Sequence, residues 1–371
     1  MRLHEDLGLP FFMRLPAAPG NGRIARVAVF LTARTMKFSK LITAMALALS
    51  TVSMATIPPS SSAAEPASAS VARQRAQGQG VYQYRIGDFQ VTALSDGTVP
   101  QDLHVLLTNT KQAEVDALLH HAFLANPVEA SINAYLIDTG TRLVLVETGA
   151  GSLFGPGNGG KLLGNLTAAG VEPAQIDDIL LTHIHSDHSG GLTNDGKAVF
   201  PHATVHVGKP DVDFFLDPAN ANGVNGYDKQ YFQQAVASLE PYVKAGKVHA
   251  FSGETQILPG IKALPAPGHT PGHSFYAVES KGDGITFIGD IVHVAAVQFP
   301  KTAITIVYDV DPSHAASERE TQFAGFAAKR SLVAGAHLPY PGIGHVRAET
   351  GGGYAFVPVD FIDRNTRKSG S

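Results

Sequence analysis

Three histidines and one aspartate fall within six residues, His183-Ile184-His185-Ser186-Asp187-His188, directly after the apolar run at 176–181. Alternate side chains of a strand point the same way, so we expect His183 and His185 to face one centre. Asp187 and His188 follow the strand end and can turn toward a second centre nearby. Imidazole and carboxylate groups are common ligands of divalent metals. The spacing therefore predicts a dinuclear metal site.

Two metals need more ligands than this cluster supplies, because each takes about four or five. Three later positions offer them. His269 lies in a Gly/Pro-rich turn at 267–273, Asp290 ends the apolar run at 286–290, and His337 ends the run at 332–337. A single strand-end histidine is often structural, but three such residues in order downstream of the cluster indicate one shared site.

The order H-x-H-x-D-H, His, Asp, His resembles that of the metallo-β-lactamase-fold hydrolases. The resemblance implies two divalent metal ions, with Zn²⁺ expected. It assigns three ligands to one metal, three to the other and one bridging ligand to both: respectively His183, His185 and His269; Asp187, His188 and His337; and Asp290. It also implies an α/β fold, the αβ/βα four-layer sandwich.

Within that superfamily the chain most resembles the secreted methyl parathion hydrolases, a family of organophosphorus hydrolases. The matching stretches cover most of residues 80 to 360 and lie at 86–89, 92–98, 153–156, 241–247, 294–299 and 336–345. Many lie outside the metal motif, which makes the match more specific than shared fold. The resemblance places aromatic substrate-pocket positions at Phe154, Phe215 and either Phe232 or its neighbour Tyr231.

One position departs from the superfamily pattern. Members commonly carry Asp in an early D-T-G turn, whereas this chain has Glu147-Thr148-Gly149. That residue normally supports a ligand rather than binding metal, so the extra methylene puts the local hydrogen bonding in doubt and leaves metal binding unaffected.

Composition limits the function further. The chain has 371 residues, 44% of them hydrophobic and 16% charged, which is ample for a globular core. A formal net charge of −4 gives no basic surface for nucleic acid. Because there are no cysteines, disulfides and zinc sites with a thiolate ligand are excluded.

The N-terminal region reads as an export signal. Residues 36–40 are basic, 41–55 are apolar, and the small residues 60–64 follow. This pattern is too short for a stable membrane anchor and is typical of a cleavable signal peptide. We therefore interpret 1–35 as an over-extended start, 36–64 as the signal, 65–80 as a flexible mature N-terminus, and 81–371 as the hydrolase domain. A periplasmic or secreted protein is expected.

Patterning within the domain agrees with mixed strands and outer helices. Runs at 89–94, 131–138 and 142–147 favour strands, and those at 162–169, 211–216 and 230–245 favour helices. A further amphipathic helix at 318–329 places Phe323 and Phe326 on one face.

We expect hydrolysis of a neutral ester by a hydroxide that bridges the metals. Asp290 would hold the metal pair, and Asp187 could also accept a proton after attack. Small-molecule organophosphate triesters, aryl esters and lactones are the candidate substrates. Alternatives are an acyl-homoserine-lactone-type lactonase, a glyoxalase II-like thioester hydrolase, and a metal-binding protein without catalysis. A homodimer is one candidate assembly.

Overall fold

The computed structural model describes residues 77–224 and 226–362. The expected over-extended start, the expected signal peptide and all but the last residues of the expected flexible N-terminus lie outside these ranges.

Eighteen strands and eight helices make up the described chain. The first ten strands are β1 (Val81–Ile86), β2 (Phe89–Gln101), β3 (Leu107–Thr108), β4 (Val128–Asp138), β5 (Leu143–Val146), β6 (Asp178–Leu180), β7 (Thr193–Asn194), β8 (Lys197–Ala198), β9 (Thr204–Gly208) and β10 (Val248–Phe251). The other eight are β11 (Thr255–Leu258), β12 (Ile261–Pro265), β13 (Ser274–Ser280), β14 (Asp283–Phe287), β15 (Thr305–Ile306), β16 (Leu332–Ala334), β17 (Ile343–Ala348) and β18 (Tyr354–Pro358).

The helices are α1 (Leu103–Leu106), α2 (Gln112–His121), α3 (Leu162–Ala168), α4 (Ser186–Ser189), α5 (Lys209–Phe215), α6 (Lys229–Lys244), α7 (Ala295–Gln298) and α8 (Pro312–Lys329). Short 3-10 turns cover Pro173–Gln175, Gly190–Leu192 and Pro218–Asn220. The helices predicted at 162–169, 211–216, 230–245 and 318–329 are confirmed within a few residues, although α8 begins six residues earlier than predicted. Asp311 caps its start by accepting from the His314 amide at 3.0 Å.

Two seven-stranded sheets dominate the fold. Their strand orders are β1-β2-β4-β5-β6-β9-β10 and β11-β12-β13-β14-β16-β17-β18. Most neighbours are antiparallel, but β5, β6, β9 and β10 run parallel, as do β14 and β16. The carboxyl ends of parallel neighbours meet at one edge of a sheet, which gathers the residues that follow them.

Alternation along the strands separates the layers. In β4, Ala134 and Leu136 pack in a cluster with α3, α5 and α6, whereas Tyr135 and Ile137 face the second sheet. On the far side of the second sheet, Phe323 of α8 packs against that sheet's outer face. The order is helices, sheet, sheet, helix, which confirms the predicted αβ/βα four-layer sandwich. Within residues 77–224 and 226–362, no helix has the length and apolar character needed to cross a membrane.

Candidate metal centre

All seven residues predicted as ligands follow strand ends and meet at one edge of the sandwich. His183 and His185 come shortly after β6, His269 after β12, Asp290 after β14, and His337 after β16. Their ligand atoms form two close groups within 4.8 Å, one of them His183, His185, His269 and Asp290, the other Asp187, His188 and His337.

The three histidines of the first group form a triangle of imidazole nitrogens. His183 Nε2 lies 2.9 Å from His185 Nδ1 and 3.2 Å from His269 Nε2, and the last two atoms are 3.0 Å apart. Nitrogens bound about 2.1 Å from one tetrahedral zinc stand roughly 3.4 Å apart. The triangle is therefore within a few tenths of an ångström of a tetrahedral face, and we call it the three-histidine centre.

The second group lies beside it. His337 Nε2 is 3.3 Å from Asp187 Oδ2, and His188 Nε2 is 3.7 Å from the same oxygen. Asp290 lies between the groups: its Oδ1 is 3.2 Å from His188 Nε2, and its Oδ2 is 3.5 Å from His269 Nε2 and 3.1 Å from His337 Nε2. One carboxylate thus faces both groups.

Each imidazole of the three-histidine centre, and His337, is held through its other nitrogen. Such contacts fix the ring orientation and the tautomer of a ligand. The partners are Thr182 Oγ1 for His183 at 3.1 Å, the Tyr227 hydroxyl for His185, Asp309 Oδ1 for His269 at 2.8 Å, and the Ser131 carbonyl for His337 at 2.8 Å.

Glu147, the departure from the D-T-G pattern, retains contacts to the site. Its Oε1 accepts a hydrogen bond from Thr182 Oγ1 at 2.5 Å and lies 3.3 Å from His188 Nδ1. The longer side chain is accommodated with its backbone at φ +63°, in the left-handed region that non-glycine residues rarely occupy. Glu147 therefore contacts both ends of the segment that carries His183 to His188, despite the extra methylene.

The two groups differ in charge. Burial lowers the pKa of His183 and His269 well below the usual range, and it lowers the pKa of His185 to about 3. Burial acts on His337 too, but Asp290 and Asp187 outweigh it and raise its pKa to about 10. The three-histidine centre therefore offers neutral lone pairs, the form that binds metal, while the second group is bound together by opposite charges.

The unsatisfied atoms of the site fit a metal pair. Both ring nitrogens of His188 and Oδ1 of Asp290 are buried without a well-aligned hydrogen bond to the described chain. Buried polar groups are normally paired, and exceptions need a cause such as an ion. A set of histidines and aspartates without thiolates is a hard-to-borderline donor set suited to Zn²⁺ and similar ions.

His293 belongs to the site although the sequence reasoning missed it. It is buried, its Nε2 lies 3.1 Å from Asp290 Oδ2, and it forms a third close group with Asp290 and His337. The signal was present in the Asp290-x-x-His293 spacing, which returns a side chain to the same side of a turn. His273, in contrast, supports the site through the backbone, since its Nε2 accepts from the Asp290 amide at 3.0 Å.

The predicted pocket residues have different environments. Phe215 is fully buried, and its ring meets that of His185 at a centroid distance of 5.6 Å. Phe232 lies in the core behind Phe215, whereas the alternative, Tyr231, is partly exposed and 5.5 Å from the His185 ring. Phe154 is partly exposed in the glycine-rich loop at 149–160. Tyr231 is therefore better placed than Phe232 to meet a ligand.

Comparison with known proteins agrees with this geometry. Residues 128–337 match the family model described as "Metallo-beta-lactamase superfamily", which spans more than half of the chain. Among solved structures, hydrolase AbOPH of the beta lactamase superfamily is 38% identical, with a TM-score of 0.73 over 78% of this chain and 100% of that one. AidC, a dizinc quorum-quenching lactonase in complex with a product, is 25% identical, with a TM-score of 0.70 over 77% and 99%.

A curated relative, the N-acyl homoserine lactonase of Bacillus sp, is 23% identical over 216 residues, which is 53% of this chain and 71% of the relative. Fold, ligand order and relatives agree. The chain belongs to the metallo-beta-lactamase superfamily and is a metal-dependent hydrolase.

Proposed function

We propose that the protein hydrolyses neutral, apolar esters, with a lactone or aryl ester as its native substrate and organophosphate triesters as at least promiscuous ones. The observation that carries the proposal is an uncharged aromatic wall beside the seven assembled ligand residues. This wall consists of Tyr227, Tyr231 and Tyr308. The rings of Tyr227 and Tyr231 stack with their centroids 4.4 Å apart and lie beside the His185 ring. The centroid of the Tyr308 ring lies 6.0 Å from that of His293.

The charges around the site favour a neutral substrate. Among the described residues, every cationic group within ion-pair distance of Asp187 or Asp290 is a histidine. The buried Arg319 is engaged elsewhere, because it donates to the carbonyls of Ile291, Thr302 and Ile304. Among the described residues, no arginine or lysine lies within ion-pair distance of Asp187 or Asp290 to bind an anionic phosphate or glutathione group, which disfavours the thioester alternative.

The ligand residues fit two divalent ions, one at the three-histidine centre and one at Asp187, His188 and His337, with Asp290 between them. Such ions, when bound, activate water near neutral pH and polarise a carbonyl or phosphoryl oxygen. Asp187, whose side chain is 16% exposed, is the more accessible acid of the site and can take up a proton after attack. Tyr231 and its neighbours would orient the apolar part of the substrate and exclude water.

The relatives support this substrate class. AidC is a quorum-quenching lactonase by name, the Bacillus relative is an N-acyl homoserine lactonase by name, and lactones are neutral cyclic esters. The resemblance to methyl parathion hydrolases supports the triesters.

The test is a substrate panel on the purified chain, lacking residues 1–64 and with its metal content measured. Acyl-homoserine lactones, aryl acetates and paraoxon-like triesters should be hydrolysed with kcat/KM well above that of a His337→Ala control. Charged phosphomonoesters and glutathione thioesters should be poor substrates. A preference for either charged class, or equal rates for the control, would contradict the proposal.

A further inference from the structure

Asp211 is a buried carboxylate that belongs to no ligand group. It lies in the first turn of α5, its side chain is fully buried, and no lysine, arginine or histidine of the described residues forms an ion pair with it. An unpaired buried charge is costly unless hydrogen bonds satisfy it.

Three donors converge on the two oxygens of Asp211. Oδ2 accepts from the Ile184 amide at 3.1 Å and from Thr270 Oγ1 at 2.9 Å, and Oδ1 accepts from the Gly272 amide at 2.6 Å. Because a backbone amide can only donate, each carboxylate oxygen of Asp211 acts as an acceptor in at least one of these contacts. The side chain is thus satisfied entirely by two loops.

These two loops carry the three-histidine centre. Ile184 stands between His183 and His185, and Thr270 directly follows His269. The two loops are 84 to 86 residues apart in the chain, and they meet where these imidazoles meet. Asp211 therefore joins, through one rigid group, the backbone segments whose separation sets the size of the nitrogen triangle.

Close backbone packing leaves the link little freedom. A Cβ on Gly272 would lie 2.4 Å from the Asp211 amide nitrogen, and one on Gly208 would lie 2.3 Å from the Gly272 carbonyl oxygen. Glycine at both positions lets the start of α5 approach the His269 loop within hydrogen-bond distance.

We propose that Asp211 is a positioning residue of the three-histidine centre, holding the His183–His185 and His269 loops at the separation that binds one metal. The inference rests on the proposed metal pair and adds a residue outside the ligand set. The proposal predicts that loss of Asp211 weakens mainly the metal at the three-histidine centre, because Asp211 accepts hydrogen bonds from Ile184, Thr270 and Gly272 and from none of Asp187, His188 and His337.

The test compares Asp211→Asn with Asp213→Asn. Asparagine is nearly isosteric but turns one acceptor into a donor, which faces a backbone amide or the Thr270 hydroxyl. Asp213 lies on the same helix but pairs with Lys209 at the surface, 2.6 Å away, so it controls for charge and helix effects. Chelator competition gives the affinity of each metal, and the Co²⁺ absorption spectrum reports ligand geometry at the three-histidine centre.

We expect Asp211→Asn to bind one metal about 10- to 100-fold more weakly, the range seen when groups supporting a ligand are removed. The weakened metal should be the one at the three-histidine centre, and the Co²⁺ spectrum should change. The affinity for the metal at Asp187, His188 and His337 should stay as in the wild type. Asp213→Asn should match the wild type in both affinities and in the spectrum. Wild-type affinities and spectrum in folded Asp211→Asn, or equal weakening of both metals, would overturn the proposal.

A milder variant keeps the test decisive where Asp211→Asn does not fold. Thr270→Val removes one donor only, and it should weaken the same metal several-fold with far-UV circular dichroism unchanged. Unchanged affinity in this variant would count against the proposal. If the wild-type chain hydrolysed no ester, the proposed function would be wrong. The role of Asp211 is judged separately, because it depends on the measured metal affinities and not on activity.

Discussion

Asp290 is the residue on which both halves of the site depend. Its two oxygens face His188 on one side and the three-histidine centre and His337 on the other. Removing a group shared by two metals should affect both, whereas loss of an outer ligand should weaken mainly one.

For Asp290→Ala we therefore expect fewer than two metals per chain and loss of most turnover. Metal analysis of the dialysed protein and kcat on an aryl acetate check this. His345→Ala is a suitable control, because His345 is exposed and, among the described residues, its ring hydrogen-bonds to the carbonyls of Arg330 and Ser331 rather than to the predicted ligands. Two tightly held metals and near-normal turnover in Asp290→Ala would rule out the bridging assignment.

Tyr231 and Phe232 are neighbours with different expected roles. Phe232 is 1% exposed within the core, so Phe232→Ala should lower the free energy of unfolding by about 3–5 kcal/mol. Tyr231→Ala should cost less stability and should raise KM for aryl substrates, because its ring lies beside His185. Urea unfolding and steady-state kinetics separate the two effects. The reverse pattern would mean that Phe232 meets the substrate.

Phe154 remains a predicted pocket residue. Stacking on an aryl leaving group contributes about 0.5–1.5 kcal/mol beyond area burial. Phe154→Ala should then slow aryl ester hydrolysis several-fold to about tenfold, with metal content and small alkyl ester hydrolysis unchanged. Equal losses on both substrates would indicate that the ring supports the loop instead.

The gathering of the seven predicted ligand residues could be anticipated from sequence, because metal-binding side chains are few in type and follow a fixed order. Their supporting partners could not. Asp309 holds His269 from 40 residues away, and Tyr227 holds His185 from 42. Only the folded chain brings these pairs together, and neither tyrosine nor an isolated aspartate carries a signal of its own.

At the level of elements, parallel strands decide where the site forms. The apolar runs before His183, Asp290 and His337 could be predicted as strands, and the structure confirms them as β6, β14 and β16. The helix α2 was missed, since Gln112–His121 buries only Val115 and Leu119 and its apolar periodicity is weak. Packing against α7, rather than intrinsic pattern, accounts for it.

A polar network joins the parallel strands of the first sheet away from the metal centre. Asp178 of β6 accepts from Arg142 Nε at 2.6 Å and lies 2.8 Å from His206 Nε2 of β9. Burial alone would raise the pKa of Asp178, but its bonds to His206 and Arg142 outweigh burial and lower it below the usual 3.8.

Asp178→Asn should therefore lower the free energy of unfolding at pH 7 by about 1–3 kcal/mol. A lowered pKa gives stability that is present above the unfolded-state value and lost as pH falls through the folded value. The difference in the free energy of unfolding between wild type and Asp178→Asn, measured by urea unfolding, should accordingly become smaller below about pH 4. Asp116→Asn, which breaks an exposed pair with His104, should change little. A difference in the free energy of unfolding between wild type and Asp178→Asn that grows as the pH falls would contradict this explanation.

At the scale of the whole molecule, export is the open prediction, since residues 1–76 lie outside the described chain. We propose that the protein leaves the cytoplasm and that its mature form begins near Ala64 or Glu65. N-terminal sequencing of natively produced protein tests this. An intact Met1 or Met36 would show that 41–55 serves another purpose.

The ligands of the three-histidine centre come from both sheets of a chain that has no cysteine. His183 and His269 are 86 residues apart, so an ion bound by both would close a loop of that size. For a disulfide, such closure restricts the unfolded chain by roughly 4–5 kcal/mol. Bound metals would thus act as cross-links in a fold that has no disulfides. Chelation should therefore lower the unfolding temperature as well as abolish activity. The metal concentration in the compartment where the chain folds should set the amount of folded protein.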